Sequence, residues 1–217
     1  MSAYLVLASA NILADTVIFA TFARKKNVMR EILNPWIGNH SGYNCFGCNP
    51  TNPMGMQMHF FWDDEKQNII SVWRANKNFV SWIDTLHGGI QASLLDEICG
   101  WVVFYKLQTS GVTAKMEMRY RKQILTTWPY ITLQAKLEEQ RRNIAIVKGK
   151  ILNPNEEVCA ECTCTYFIFD SEKSKEMGYL PALLGDKEFT KEDIIEQMLA
   201  QIRKPRKPED FISLQNF

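Results

Sequence analysis

From about Gly89 to Leu107, apolar residues recur at helical spacing in two adjacent stripes, Ile90-Leu94-Ile98-Val102 and Ala92-Leu95-Cys99-Val103. Trp101 and Phe104 fill most of the remaining circumference. Such a helix has no face fit for water, so the rest of the chain must wrap it. Four segments after Gly111 read as the wrapping. Val112–Arg121 alternates Met116, Met118 and Tyr120 against Lys115, Glu117 and Arg119, and Ile131–Leu137, Ile144–Leu152 and Val158–Phe169 follow. Trp128-Pro129 and Asn153-Pro154-Asn155 supply turns between them. Two more strands are expected ahead of the helix, at Met56–Trp62 and Ile69–Ala75, joined by the charged turn Asp63-Asp64-Glu65-Lys66. One buried helix followed by a four-strand meander is an α+β arrangement, a curved antiparallel sheet wrapped around a central helix.

At 217 residues, 46% of them hydrophobic and 23% charged, the chain is large enough to bury such a core. Three regions are expected: an apolar N-terminal extension over 1–30, a central domain over 31–170 that opens on a turn-rich stretch, and a polar, partly helical extension over 171–217. In the last, Thr190 with Asp193 three residues on predicts a capped helix at Lys191–Ile202. Arg203–Asp210 reads as a solvated, proline-containing segment.

A net charge of +1 gives no field that would recruit nucleic acid, and any anionic ligand must be held by a local basic cluster. The run from Ala3 to Phe22 is mostly apolar and is followed by Arg24, Lys25 and Lys26. Asn11 and Asp15 sit near its middle, where an aspartate costs a membrane span about 2.5–3.5 kcal/mol. The basic residues follow the apolar run, the reverse of a secretory signal. A membrane anchor at 3–23, an added amphipathic helix and a start upstream of Met29 remain open. The favoured reading is a dispensable extension on a cytoplasmic protein. Six cysteines include two CxxC spacings, Cys45–Cys48 and Cys159–Cys162, which together suggest a four-thiolate zinc site. Cys159 and Cys162 lie in a strand, however, where residues three apart point to opposite faces. Reduced thiols, with no metal and no cofactor, are the preferred reading.

His87-Gly88-Gly89 stands where a loop enters the buried helix. Bare glycine amides at a helix N-terminus suit an oxygen that gains negative charge during attack on a carbonyl. Asp96 falls inside the apolar helix, where a carboxylate is costly unless paired or used. Its neighbour Glu97 is expected at a solvated or salt-bridged edge. Asp96 is eight residues beyond Gly88, about 12 Å along the axis, so one helix does not bring both to one carbonyl. Two antiparallel copies do, which points to a dimer with composite sites.

These residues resemble a known family. His87-Gly88-Gly89 followed by Asp96-Glu97-Ile98-Cys99-Gly100-Trp101 is similar to the HGG…LLDE-x-x-G-W stretch of hotdog-fold acyl-CoA thioesterases of the phenylacetic-acid-degradation type. Cys45-Phe46-Gly47-Cys48 with Asn52-Pro53-Met54-Gly55-Met56, then Val112-Thr113-Ala114 and Arg119-Tyr120-Arg121-Lys122, extend the similarity over about residues 40–170. The resemblance implies a hotdog domain forming a homodimer or homotetramer, with CoA thioesters held between subunits. Gly88 and Gly89 would supply the oxyanion donors, His87 would position the thioester, and the partner's Asp96 would act as base or nucleophile. CFGC would have a structural role. Ser81 stands where members carry an asparagine near the thioester, and Gln123 where they carry proline after the Arg-Lys pair. For the CoA phosphates, Arg119, Arg121, Lys122, Arg141 and Arg142 are candidates; for the acyl group, Phe79, Trp82, Trp101 and Phe104. The expected activity is hydrolysis of an acyl-CoA-type thioester. The alternative is a hotdog module that binds acyl thioesters without cleaving them.

Overall fold

The computed structural model describes residues 27–202. The expectations for the apolar run at 3–22 and for Arg203–Asp210 lie outside the described residues. The helix α1, Gly88–Lys106, runs within a residue of its expected bounds. Eight strands form one antiparallel sheet: β1 (Met29–Leu33), β2 (Phe61–Asp63), β3 (Asn68–Trp73), β4 (Gly111–Tyr120), β5 (Ile131–Arg141), β6 (Ile144–Leu152), β7 (Val158–Ile168) and β8 (Leu183–Phe189). Their spatial order is β4-β7-β6-β5-β3-β2-β1-β8. Short helix α2 (Ser171–Glu176) and helix α3 (Lys191–Ile202) complete the described chain.

Why α1 ends up inside is visible in its contacts. It packs on β3, β4, β5, β6 and β7. Five strands about 4.8 Å apart are wider than one helix of about 10–12 Å diameter, so the sheet has to curl around it. Leu94, Leu95, Ile98, Cys99, Trp101, Val102 and Val103 are all buried on α1. Gly149 on β6 sets the approach. A Cβ there would meet Cys99 Sγ at 2.8 Å, Cys162 Sγ at 3.0 Å and Leu95 Cδ2 at 3.1 Å. A bare backbone at that position lets the helix settle onto the sheet.

The other side of α1 is covered by the loop from Asn34 to Phe60. Met56, Met58 and Phe60 point into the core in alternation, as the sequence implied. Only Phe61–Asp63 is strand, however, which corrects the expected Met56–Trp62. Gln57 takes a positive φ of 54°, and the amides of Met56 and Met58 bond back to the carbonyls of Phe46 and Gly47. Those local bonds replace a strand ladder.

Two strands go beyond the sequence reading. β1 begins at Met29, so the expected boundary near residue 30 falls inside a strand. β8, in the supposedly polar C-terminal extension, pairs with β1 at the sheet edge. An edge strand is held by main-chain bonds on one side and needs no apolar alternation, and Gly185-Asp186-Lys187-Glu188 shows none. The helix α3 is as expected, with Thr190 and Asp193 exchanging backbone-to-side-chain bonds across its first turn. It buries Ile194 in a second, smaller cluster with Met29, Phe61, Ile70, Val72 and Phe189. Among the described residues, no helix is long and apolar enough to cross a membrane.

Because Gly149 has no free space at its Cβ, Gly149→Ala should cost about 1–3 kcal/mol through overpacking. Urea unfolding of the variant would check this, and unchanged stability would mean that α1 sits less tightly on β6 than described.

Candidate functional site

His87 is the residue before the first turn of α1, and its ring Nδ1 accepts the Gly89 N–H at 2.9 Å. The Gln91 N–H donates to the His87 carbonyl. The amides of Gly88 and Ile90 are left as helix-start donors without a partner among the described residues. Tyr120, from the end of β4, lies over this glycine, its ring 3.6 Å from where a Cβ would be, and its hydroxyl donates to the Gly88 carbonyl at 3.1 Å. The glycine end is thus a partly exposed helix start at which the Gly88 N–H is open, with the positive end of a 19-residue helix beneath it.

Two turns along, Asp96 is only partly buried. Thr113 Oγ1–H donates to its Oδ1 at 2.8 Å. The Tyr166 hydroxyl donates to its main-chain carbonyl at 3.0 Å and lies 3.5 Å from Oδ1. Thr113 and Tyr166 are cross-strand partners on β4 and β7, and the register slips immediately after Thr113, leaving Ala114 unpaired. A bulge of this kind bends a strand and re-aims its side chains. Here the bulge coincides with the residue that holds the carboxylate. Tyr166 is itself buried, which pushes its phenol well above the usual range, so it stays a donor.

The adjacent carboxylate departs from expectation. Glu97 is not a solvated or salt-bridged edge group. Its Oε1 accepts the Trp101 Nε1–H at 3.1 Å, and the Cys45 thiol sits 3.6 Å away. Burial pushes its carboxyl up to about 7, with the nearby Cys45 adding to the effect. Cys45 is lowered to about 5, chiefly by the Cys48 thiol. The difference arises because α1 is covered by a loop on the side away from the sheet, which helical periodicity does not reveal.

The remaining candidates spread out. Ser81 and Trp82 lie at the tip of a short hairpin closed by the Val80–Leu86 bridge, and Trp82 is 76% exposed. Arg121 pairs with Glu161, and Lys122 with Glu157 at 2.6 Å. Arg141 pairs with Glu139. Arg119 lines a groove across the sheet with Lys136, Lys148 and Lys150. Trp101 belongs to the core, stacked on Phe60 at 4.8 Å, with Phe104 packed against its edge. The two CxxC pairs do not converge. Cys45 and Cys48 meet Glu97, while Cys162 meets Cys99 and Cys164. Sequence reasoning missed Thr113 and Tyr166 as supports of Asp96. The available signals were two hydroxyl residues in strands expected to pair and the place of Thr113 in the Val112-Thr113-Ala114 stretch.

The family model of the thioesterase superfamily matches residues 84–160, the segment that holds His87, Gly88, Asp96 and Thr113. No curated protein matches the chain. Among solved structures, a thioesterase superfamily protein superposes with a TM-score of 0.54 at 18% identity, covering 77% of this chain and 80% of that one. A hypothetical thioesterase from Streptococcus pneumoniae, solved with coenzyme A, reaches a TM-score of 0.45 at 22% identity, covering 47% of this chain and 81% of that one. The BH2602 protein from Bacillus halodurans, solved with CoA, reaches 0.42 at 27% identity, covering 46% and 70%. The last two superpose on less than half of this chain and add no weight. The protein has the hotdog fold, and its residues 84–160 match the thioesterase superfamily.

Proposed function

We propose that the protein hydrolyses acyl-CoA-type thioesters to a free acid and a thiol. The observation that carries this reading is the Asp96 carboxylate, partly exposed and held by Thr113 on the helix whose glycine end presents an open amide. Asp96 takes a proton from water as the water oxygen attacks the thioester carbonyl. The oxygen of that carbonyl gains charge and is met by the Gly88 N–H and the positive helix end, with the Gly89 N–H joining once the His87 ring turns aside. Collapse of the intermediate breaks the carbon–sulfur bond, and the leaving thiolate takes up the proton.

The two groups are about 12 Å apart on one helix, so each site needs two chains. Strand β4 supports that assembly. It is one of the two edge strands of the sheet, ten residues long and mostly exposed, with one row of main-chain groups unpaired among the described residues. A second β4 laid antiparallel would satisfy that row and bring Thr113 and Asp96 toward the seam. In this reading, Arg119, Arg121 and Lys122 are the phosphate contacts. Exposed ion pairs such as those of Arg121 and Lys122 are weak and screened by solvent, so a phosphate readily displaces the glutamates.

Screening a panel of acyl-CoAs with a thiol reagent should show turnover, and Asp96→Asn should lower kcat by about 10²–10⁴-fold with the assembly intact by gel filtration. Turnover retained in Asp96→Asn would remove Asp96 as the base. Tight acyl-CoA binding without thiol release by the wild type would instead mark a non-catalytic binding module. Thr113→Val should lower kcat about 10- to 100-fold at similar KM, with recovery in Thr113→Ser, because the hydroxyl fixes the carboxylate's position. Equal loss in both variants would point to a packing role for Thr113.

A further inference from the structure

The Cys45–Cys48 turn and Glu97 form a second cluster, which the proposed hydrolysis does not use. The Asn49 N–H closes the turn onto the Cys45 carbonyl, and the N–H groups of Gly47 and Cys48 face the Cys45 sulfur. From α1, Glu97 reaches across so that Oε1 and Oε2 lie 3.6 and 3.9 Å from Cys45 Sγ. The donor atoms of all three residues lie within 4.8 Å of one another. Gly47 is what allows this approach, because a Cβ there would sit 2.2 Å from Glu97 Cδ.

The partners behind these groups are ordered as well. Glu97 Oε1 is fixed by Trp101 Nε1–H, and Cys48 Sγ lies 2.9 Å from the Tyr43 hydroxyl and 3.6 Å from Asn34 Nδ2. Among the described residues, no lysine, arginine or histidine forms an ion pair with Glu97. Two thiols and a carboxylate crowded together, without a basic side chain, make a poor ion-pair site and a good cation site. Zinc bonds of about 2.3 Å to sulfur and 2.0–2.2 Å to oxygen set tetrahedral donors about 3.6–3.8 Å apart. The Cys45–Glu97 separation of 3.6 Å already meets that spacing. The other thiol cluster, Cys99, Cys162 and Cys164, is different. It is wholly enclosed between α1 and the sheet beneath Gly149, where it fills the core.

We propose that Cys45, Cys48 and Glu97 bind one thiophilic divalent cation of the zinc class, with water in the fourth position. Binding sends to solvent whatever protons the two sulfurs and the carboxyl carry, and leaves two thiolates and an ionised carboxylate around the metal. The metal ties the CFGC turn to α1 at the residue next to Asp96, so the loop that covers the helix is cross-linked to it. This inference does not depend on the hydrolase reading.

The test is metal content of the full-length protein from zinc-supplemented cells. One zinc per chain is expected after gel filtration, and cobalt exchange should give a thiolate-to-cobalt charge-transfer band. The double variant Cys45→Ser/Cys48→Ser should lose both signals. Tyr43→Phe, which leaves every ligand in place, should weaken zinc by about 10- to 100-fold in chelator competition. Cys162→Ala should keep full zinc, and circular dichroism separates loss of metal from loss of fold. A wild type that carries no zinc and gives no cobalt band would overturn the site. So would a Cys45–Cys48 disulfide in the purified protein, or zinc retained by the folded double variant.

Discussion

Everything at the site depends on the burial of α1. A helix that is apolar on nearly every side is stable only if wrapped, and wrapping it takes the sheet on one side and the loop from Asn34 to Phe60 on the other. That constraint places the helix N-terminus at the surface beside the end of β4. It also leaves two adjacent carboxylates in the middle of a core helix, where neither is tolerated without partners.

Asp96 and Glu97 resolve that problem differently. Successive helical residues point about 100° apart, so the two meet different neighbours. Asp96 faces the β4–β7 edge, takes the hydroxyls of Thr113 and Tyr166, and keeps some exposure to solvent. Glu97 faces the CFGC turn and takes the Trp101 N–H and the Cys45 thiol. One carboxylate keeps a face to solvent, while the other joins the loop to the helix. The same short stretch of sequence thus serves two ends of the architecture.

Much of this was legible in the sequence because it is local. The helical stripes gave α1 to within a residue, the alternation gave β4 to β7, and Thr190 with Asp193 gave α3. Asp96 stood out because a charge in an apolar stripe is conspicuous. What escaped notice was non-local. The Thr113 and Tyr166 contacts depend on a register slip between strands about fifty residues apart. The environment of Glu97 depends on a loop with no period of its own. β1 and β8 escaped because a short strand and an edge strand carry little apolar pattern, and Met56–Phe60 misled because it alternates while bonding to a loop.

If each site joins Asp96 of one chain to the Gly88 end of another, two differently damaged chains should rescue one another when mixed. Gly88→Pro removes the open amide at the first helical position, where proline is tolerated and where a Cβ meets Tyr120 at an ordinary 3.6 Å. Asp96→Asn removes the base. Each variant alone should be inactive as a homo-oligomer. Refolded together in equal amounts, half of the dimers pair one chain of each kind, and each such dimer holds one undamaged site. Recovery of about a quarter of wild-type thioester hydrolysis is expected in the mixture. No recovery, with mixed dimers verified by mass spectrometry, would contradict it and place both groups of each site in a single chain.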